Sequence, residues 1–266
     1  MYNLMHTKNI IVDKGEVMVK KFVISMLIFF LYSSFTFSID VDFHIPHEIK
    51  YETIEVKTLK DLENKPTKNH VYSLDGLDLK KLSIRSRKEV FISMLLPSIE
   101  IVNKEIDRDI AIIDALSKKK SHNSEEKKEL DRIFKAYKVS AYNWSELKKR
   151  MIKYPTSLIL SQAAIESGWG TSKVFREKNN LFGMNAYKHT NRTYKEYDSI
   201  KDSVKDFVLT LSRVNAYKSL RTKVHAGEPP EKIASGLTNY SELKGAYIKK
   251  VQTMLRHNNF EKYDDV

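Results

Sequence analysis

Ser157-Leu-Ile-Leu-Ser-Gln-Ala-Ala-Ile-Glu-Ser-Gly-Trp-Gly170 is the stretch on which the reading of this chain turns. Leu158, Leu160, Ala163, Ala164 and Ile165 leave no polar stripe wide enough for a solvated face, so the segment reads as a short buried helix. Its last turn carries one carboxylate, Glu166. A carboxylate is rarely taken inside a protein without a partner or a task. Desolvation and the negative end of the helix dipole both act to raise its pKa. A carboxylic acid kept protonated near neutral pH is what cleavage of a glycosidic bond requires. The bland alternative is a structural Glu bonded to backbone or to an arginine. Gly168 and Gly170 bracket Trp169 and let the chain leave the helix in a left-handed conformation. Trp169 then either packs behind the acid or offers a flat face to a sugar ring.

At 266 residues the chain can bury a sizeable core as one or two domains. Its formal charge of +12 points to an anionic partner: nucleic acid, anionic lipid or an anionic wall polymer. There is no cysteine, so disulfides and thiol chemistry are excluded. Near the N-terminus, Lys20-Lys21 precede the apolar run Phe22 to Tyr32, with small residues at Thr36 and Ser38. That is the pattern of a secretory signal over residues 18–38, begun at Met18, with residues 1–17 an over-annotated start. The alternative is an uncleaved anchor, the one route by which this chain would meet a membrane. Export to the periplasm or cell envelope makes nucleic acid a poor partner and an anionic wall the better account of the charge.

Outward from the central helix, residues 39–84 read as an arm or linker, with Ile54, Val56 and Leu59 in a small strand. Residues 85–153 form a helical extension. Val90, Phe91, Met94 and Leu95 lead to Pro97, which is expected to kink or break the helix before Ile101, Val102 and Ile106 continue it. Ser124 and Ser145 are read as caps of two further helices. Past the central helix, residues 171–180 are read as loop, and Met184 to Tyr197 as a small β-hairpin. Ser199-Ile-Lys-Asp202 resembles a capping box, Pro230 opens a short helix, and Tyr247, Ile248, Val251 and Met254 line the last one. The fold class is mainly α: a helical lobe with one small hairpin, preceded by a helical extension.

Ser161-Gln-Ala-Ala-Ile-Glu-Ser-Gly-Trp-Gly170 together with Asn180-Leu-Phe-Gly183 resembles the Bax-type β-N-acetylglucosaminidases, a lysozyme-like family that includes flagellar and autolytic peptidoglycan hydrolases. The resemblance continues through Tyr197-Asp-Ser199, Asp202-Ser203, Ala216-Tyr217, Tyr240-Ser241 and Ala246-Tyr247 in the family's order. It covers about residues 154–260, so residues 154–266 are expected to be the catalytic domain. A weaker match reaches back to about residue 85. The resemblance implies a lysozyme-like α+β fold and makes Glu166 the general acid. It places Tyr240 near the start of the last helix as a cleft tyrosine needed for activity. It also suggests Asn180, Phe182 and Tyr247 as substrate-facing, beside Trp169 from its own position, although packing suits Phe182 nearly as well and helical spacing favours the core for Tyr247.

Some relatives carry a second Glu in the β element, and the carboxylate available here before Asp198 is Glu196. On a strand it faces opposite to Tyr197, which argues for solvent. With one carboxylate, cleavage can proceed through the substrate's 2-acetamido oxygen or through a sugar hydroxyl that leaves an anhydro ring, the transglycosylase outcome. The histidines show no ligand spacing with a carboxylate and there is no glycine-rich phosphate loop, so neither a metal site nor a cofactor is expected. The expected function is an exported peptidoglycan hydrolase acting on glycan strands beside N-acetylglucosamine. The alternative from another class is a wall-binding scaffold that has lost turnover.

Overall fold

The computed structural model describes residues 43–63, 69–188 and 191–264. The signal-like segment 18–38, the start at 1–17 and the tip of the hairpin therefore lie outside the described residues. Ile45–Val266 forms one unit, and every element below belongs to it.

The arm begins with β1, Glu52–Val56, a one-turn helix α1, Lys60–Glu63, and β2, His70–Leu74. The two strands pair in parallel, Glu52 opposite His70 and Val56 opposite Leu74. Ile54 and Val56 fall on β1 as the sequence suggests, while Leu59 lies outside it and is exposed. β2 was not legible in advance. Its Val71, Tyr72 and Leu74 are buried, and Val56, Tyr72 and Leu74 join the same core as Leu160 and Val204.

Helix α2, Ile84–Leu116, is capped by the Ser83 hydroxyl and runs for 33 residues straight through Pro97. The expected break is absent. Pro97 forfeits one backbone hydrogen bond, but Met94, Leu95, Ile99 and Val102 around it are fully buried, and that packing carries the helix across the gap. α3, Ser124–Ala136, follows, with Asn123 rather than Ser124 as its cap in a reciprocal box with Glu126. Arg132 of α3 pairs with Asp109 of α2, and Arg108 with Glu129, which locks the two helices. α4, Trp144–Arg150, is capped by Asn143 rather than Ser145. In both cases the asparagine lies ahead of the serine, and its side-chain oxygen takes the N–H three residues on.

The central helix is α5, Thr156–Ser167. Its own N-cap, Pro155, offers no side-chain bond. Instead Asp264, from the far end of the chain, accepts from the Ser157 N–H and from the Ser157 hydroxyl, both at 2.7 Å. An anion at a helix N-terminus meets both the free amides and the positive dipole end. The expected loop 171–180 contains α6, Lys173–Lys178, capped by Ser172 and too short to show a period. β3, Asn185–Lys188, and β4, Asn191–Tyr194, form the antiparallel hairpin. α7, Ile200–Arg213, carries the expected Ser199 cap, and its Val204, Phe207, Val208 and Leu211 are buried. α8, Lys218–His225, was not anticipated; α9, Pro230–Ala234, starts at its proline as expected. α10, Gly245–Asn258, buries Tyr247, Val251 and Leu255, with Ile248 and Met254 flanking them. The described residues are thus mainly helical, with the hairpin as expected and the parallel β1–β2 pair in addition.

Candidate functional site

The site grows from the C-terminal end of α5. Leu158, Leu160, Ala163 and Ala164 are buried as their pattern demands, and Ser161 and Gln162 are buried with them. Ile165 and Glu166 lie at the partly open edge. The helix stops at three successive left-handed residues, Gly168, Trp169 and Gly170, with φ of 58°, 58° and 77°. Two are glycines and tolerate it; Trp169 is held there by its neighbours. Its ring meets Phe91 edge-on at 5.7 Å and Phe260 at 5.9 Å, and the Lys88 ammonium sits 4.6 Å above it. The indole is therefore largely committed to packing beside the acid, with a partly exposed remainder.

Glu166 has one direct partner among the described residues. The Tyr247 hydroxyl donates to Oε1 at 2.8 Å, and the Gln162 amide donates to that hydroxyl at 3.3 Å. Burial pushes the Glu166 carboxyl above the ordinary range; the Tyr247 bond and the nearby Lys250 charge oppose the rise without cancelling it. No hydrogen bond reaches Oε2 from the described residues. One oxygen is pinned by a neutral donor, and the other takes no bond from the described residues.

Tyr247 lies against Tyr240, rings 5.0 Å apart and 22° from parallel. Tyr240 meets Phe207 at 6.0 Å, and Phe207 stacks on Phe182 at 3.8 Å. Burial pushes both tyrosine hydroxyls upward, and Glu166 adds to the rise, so both stay protonated at any physiological pH. Residues from α5, α7, α10 and the loop before the hairpin thus form one aromatic column ending on the acid. Phe182 serves that column as a buried member. Tyr247, which its spacing assigns to the core, is both buried and the acid's direct partner. Its long-range bond has no local signal in the sequence.

Asn180 is buried, and its side chain is spent on backbone. Its amide donates to the carbonyls of Met184 and Lys195 and its oxygen accepts from the Met184 N–H, each at 2.9 Å. It clamps the base of the hairpin and has no polar atom left to offer a sugar. Its neighbour Asn179, which the sequence reading passed over, does the same toward the arm. Asn179 accepts from the Leu74 N–H and donates to the Ser73 hydroxyl and the Tyr197 carbonyl. Glu196 lies beyond the end of β4, its side chain 69% exposed and paired with Lys178 at 2.9 Å. It faces solvent, as its opposition to Tyr197 suggested.

A partly buried carboxylate on α7 was missed in the sequence. Asp206 of α7 accepts from Lys195 at 2.6 Å, from the Tyr197 hydroxyl at 2.8 Å and from Arg213 at 3.0 Å. Burial works to raise its pKa, but these three partners prevail and hold it below the usual range.

The Glucosaminidase family model, described as mannosyl-glycoprotein endo-beta-N-acetylglucosaminidase, matches residues 141–260. Protein bax of Escherichia coli (strain K12) is 34% identical over 169 residues, 58% of this chain and 62% of that protein. The chain thus spans under two thirds of that relative's length. Among solved structures, the catalytic domain of the autolysin Auto from Listeria monocytogenes aligns over 57% of this chain and 94% of that chain. Its identity is 20% and its TM-score 0.37. The glycoside hydrolase domain of Salmonella typhimurium FlgJ aligns over 40% of this chain and 75% of that one, at 28% identity and TM-score 0.33. Residues 141–260, which hold Glu166, Asn180, Phe182, Glu196, Tyr240 and Tyr247, are the segment that matches the Glucosaminidase family model.

Proposed function

We propose that this protein is an exported peptidoglycan hydrolase that cuts the glycan strand beside N-acetylglucosamine, with Glu166 as general acid. The observation that carries the reading is the half-buried Glu166, raised by desolvation and held at Oε1 by the neutral Tyr247 hydroxyl. The match of residues 141–260 to the Glucosaminidase family model supports the reaction class. The basic charge and the signal-like segment support the wall as its place of action.

In this reading Oε2–H of Glu166 protonates the glycosidic oxygen as the bond from C1 breaks. Because Glu196 is exposed and paired with Lys178, it is poorly placed to supply a nucleophile or a base. The substrate's own 2-acetamido oxygen then closes on C1, and Glu166, now ionised, takes a proton from the water that opens the ring. A sugar hydroxyl attacking in place of that water gives an anhydro end instead. Tyr247 fixes the acid's orientation, and Tyr240, protonated beside it, offers a hydroxyl to the acetamido group or the water.

Zymography on wall-impregnated gel with wild type and Glu166→Gln tests the proposal. Wild type clears and the variant, equally folded, does not; equal clearing by both, or by neither, overturns it. Mass spectrometry of the released muropeptides then reads which sugar carries the new reducing end and whether an anhydro ring has formed.

A further inference from the structure

Beside the acid, on the face formed by α2 and α10, lies a groove of about 470 Å³. Its wall includes Lys88, Trp169, Lys249, Lys250, Thr253 and His257. Some basic residues elsewhere are neutralised in ion pairs: Lys104 with Glu100, Lys153 with Asp107, Lys205 with Glu105, Arg256 with Glu231. Among the described residues no carboxylate lines this groove, and Lys88, Lys249 and Lys250 form no ion pair. Lys88 is positioned by a 2.8 Å bond to Asn258 and by the Trp169 face below it. Unpaired cations gathered on a concave wall leave a positive potential that a ligand carboxylate would neutralise.

The groove adjoins the C-terminal end of α5: Trp169, three residues after Glu166, forms part of its wall, and Lys250 is close enough to Glu166 to act on its charge. Groups attached to a sugar held at Glu166 would have this wall beside them. We infer that the Lys88–Lys249–Lys250 groove binds the free carboxylates of peptide stems carried by the glycan strand, so that the enzyme prefers stem-bearing wall to uncharged glycan. This rests on the wall reading of the function and deepens it. Sugar rings of N-acetylglucosamine are neutral, so a groove serving the glycan alone would gain nothing from three unpaired lysines. Phosphate-bearing wall polymers would share the charge logic, but they lack the fixed spacing from the cut sugar that a groove beside Glu166 would exploit.

The test reads binding rather than turnover, so it stands apart from the identity of the acid. The inactive Glu166→Gln protein is titrated onto purified wall, onto wall whose carboxyls have been amidated, and onto wall stripped of phosphate polymers. The same titrations are made with Lys249→Gln and Lys250→Gln added together, after thermal unfolding shows that the fold is kept. The inference expects amidation and the double substitution each to weaken binding by about tenfold, with no further loss when combined. Phosphate stripping leaves binding unchanged, and raised salt removes the difference. Binding that survives amidation, or that falls on phosphate stripping instead, overturns the inference. If wild-type protein fails to clear wall while this binding pattern holds, the catalytic reading fails and the groove stands.

Discussion

Glu166 at the end of α5 and Asp206 on α7 are both carboxylates drawn partly out of water, yet they titrate in opposite directions. Burial works upward on each. Glu166 meets a neutral hydroxyl and a lysine near enough to influence but not to bond. Asp206 meets an ammonium, a guanidinium and a hydroxyl within 3.0 Å. The difference teaches that desolvation sets the stage for both, and the charge of the bonded partner decides whose pKa ends up raised and whose lowered. One region raises the pKa of its carboxyl; the other holds an anion that ties the segment after the hairpin to α7.

The comparison breaks most sharply in turnover. Glu166→Gln is expected to lower the rate on purified wall by roughly a thousandfold, the scale of a lost general acid, whereas Asp206→Asn should act on activity mainly through stability. A thermal or denaturant melt inverts the order. A carboxyl whose folded pKa is raised contributes stability below the unfolded value, about 4.3 for Glu, and that contribution is lost as pH rises through the folded value. Above its folded pKa the ionised Glu166 is therefore a cost, and there Glu166→Gln should leave the melting temperature unchanged or raise it. Asp206 has a depressed folded pKa. Its contribution is present above about 3.9 and is lost as pH falls through the lower folded value. Asp206→Asn leaves Lys195 and Arg213 without their partner and should cost about 2 kcal/mol at neutral pH, with the gap from wild type closing in acid. If both variants melt alike across pH, the contrast is wrong.

A finer cut falls on the partner itself. Tyr247→Phe removes the bond that holds the Glu166 pKa down, so the alkaline limb of kcat/KM should move to higher pH while the maximum falls about tenfold. An unmoved limb would detach Tyr247 from the acid. The smallest effect is expected at Glu196→Gln, with activity within about twofold of wild type and stability within about 0.5 kcal/mol, as for an exposed ion pair. A hundredfold loss there would make Glu196 the second catalytic group after all.

Much of the acid's half of this contrast was legible in the sequence. An apolar helix with two glycines after it reads as a buried helix ended by a left-handed turn, and α5 and that turn follow the reading; the residues alone left the carboxylate between an acid and a structural partner. Tyr247 was harder. Its i, i+4 relation to Val251 marks it as core, and nothing local announces a hydroxyl that reaches a residue 81 positions earlier. Asp206 was hidden for the same reason, since two of its partners, Lys195 and Tyr197, lie outside its own helix. β2 escaped because five residues flanked by polar chain show too little alternation to stand out. The break expected at Pro97 failed where local propensity met a fully buried helix face, and packing prevailed.

Gly170 carries a consequence for where this protein can be divided. A Cβ built there would lie 2.6 Å from Leu79 and 3.1 Å from Phe91, two residues well upstream of the segment that matches the glucosaminidase family. The turn that ends the acid's helix is thus pressed against side chains from the arm and from α2, and Asn179 fastens β2 to the same neighbourhood. The boundary of resemblance and the boundary of independent folding do not coincide. A fragment cut at residue 141 would keep every residue proposed for chemistry, lose the wall behind the turn, and expose an apolar surface that favours aggregation over a working site.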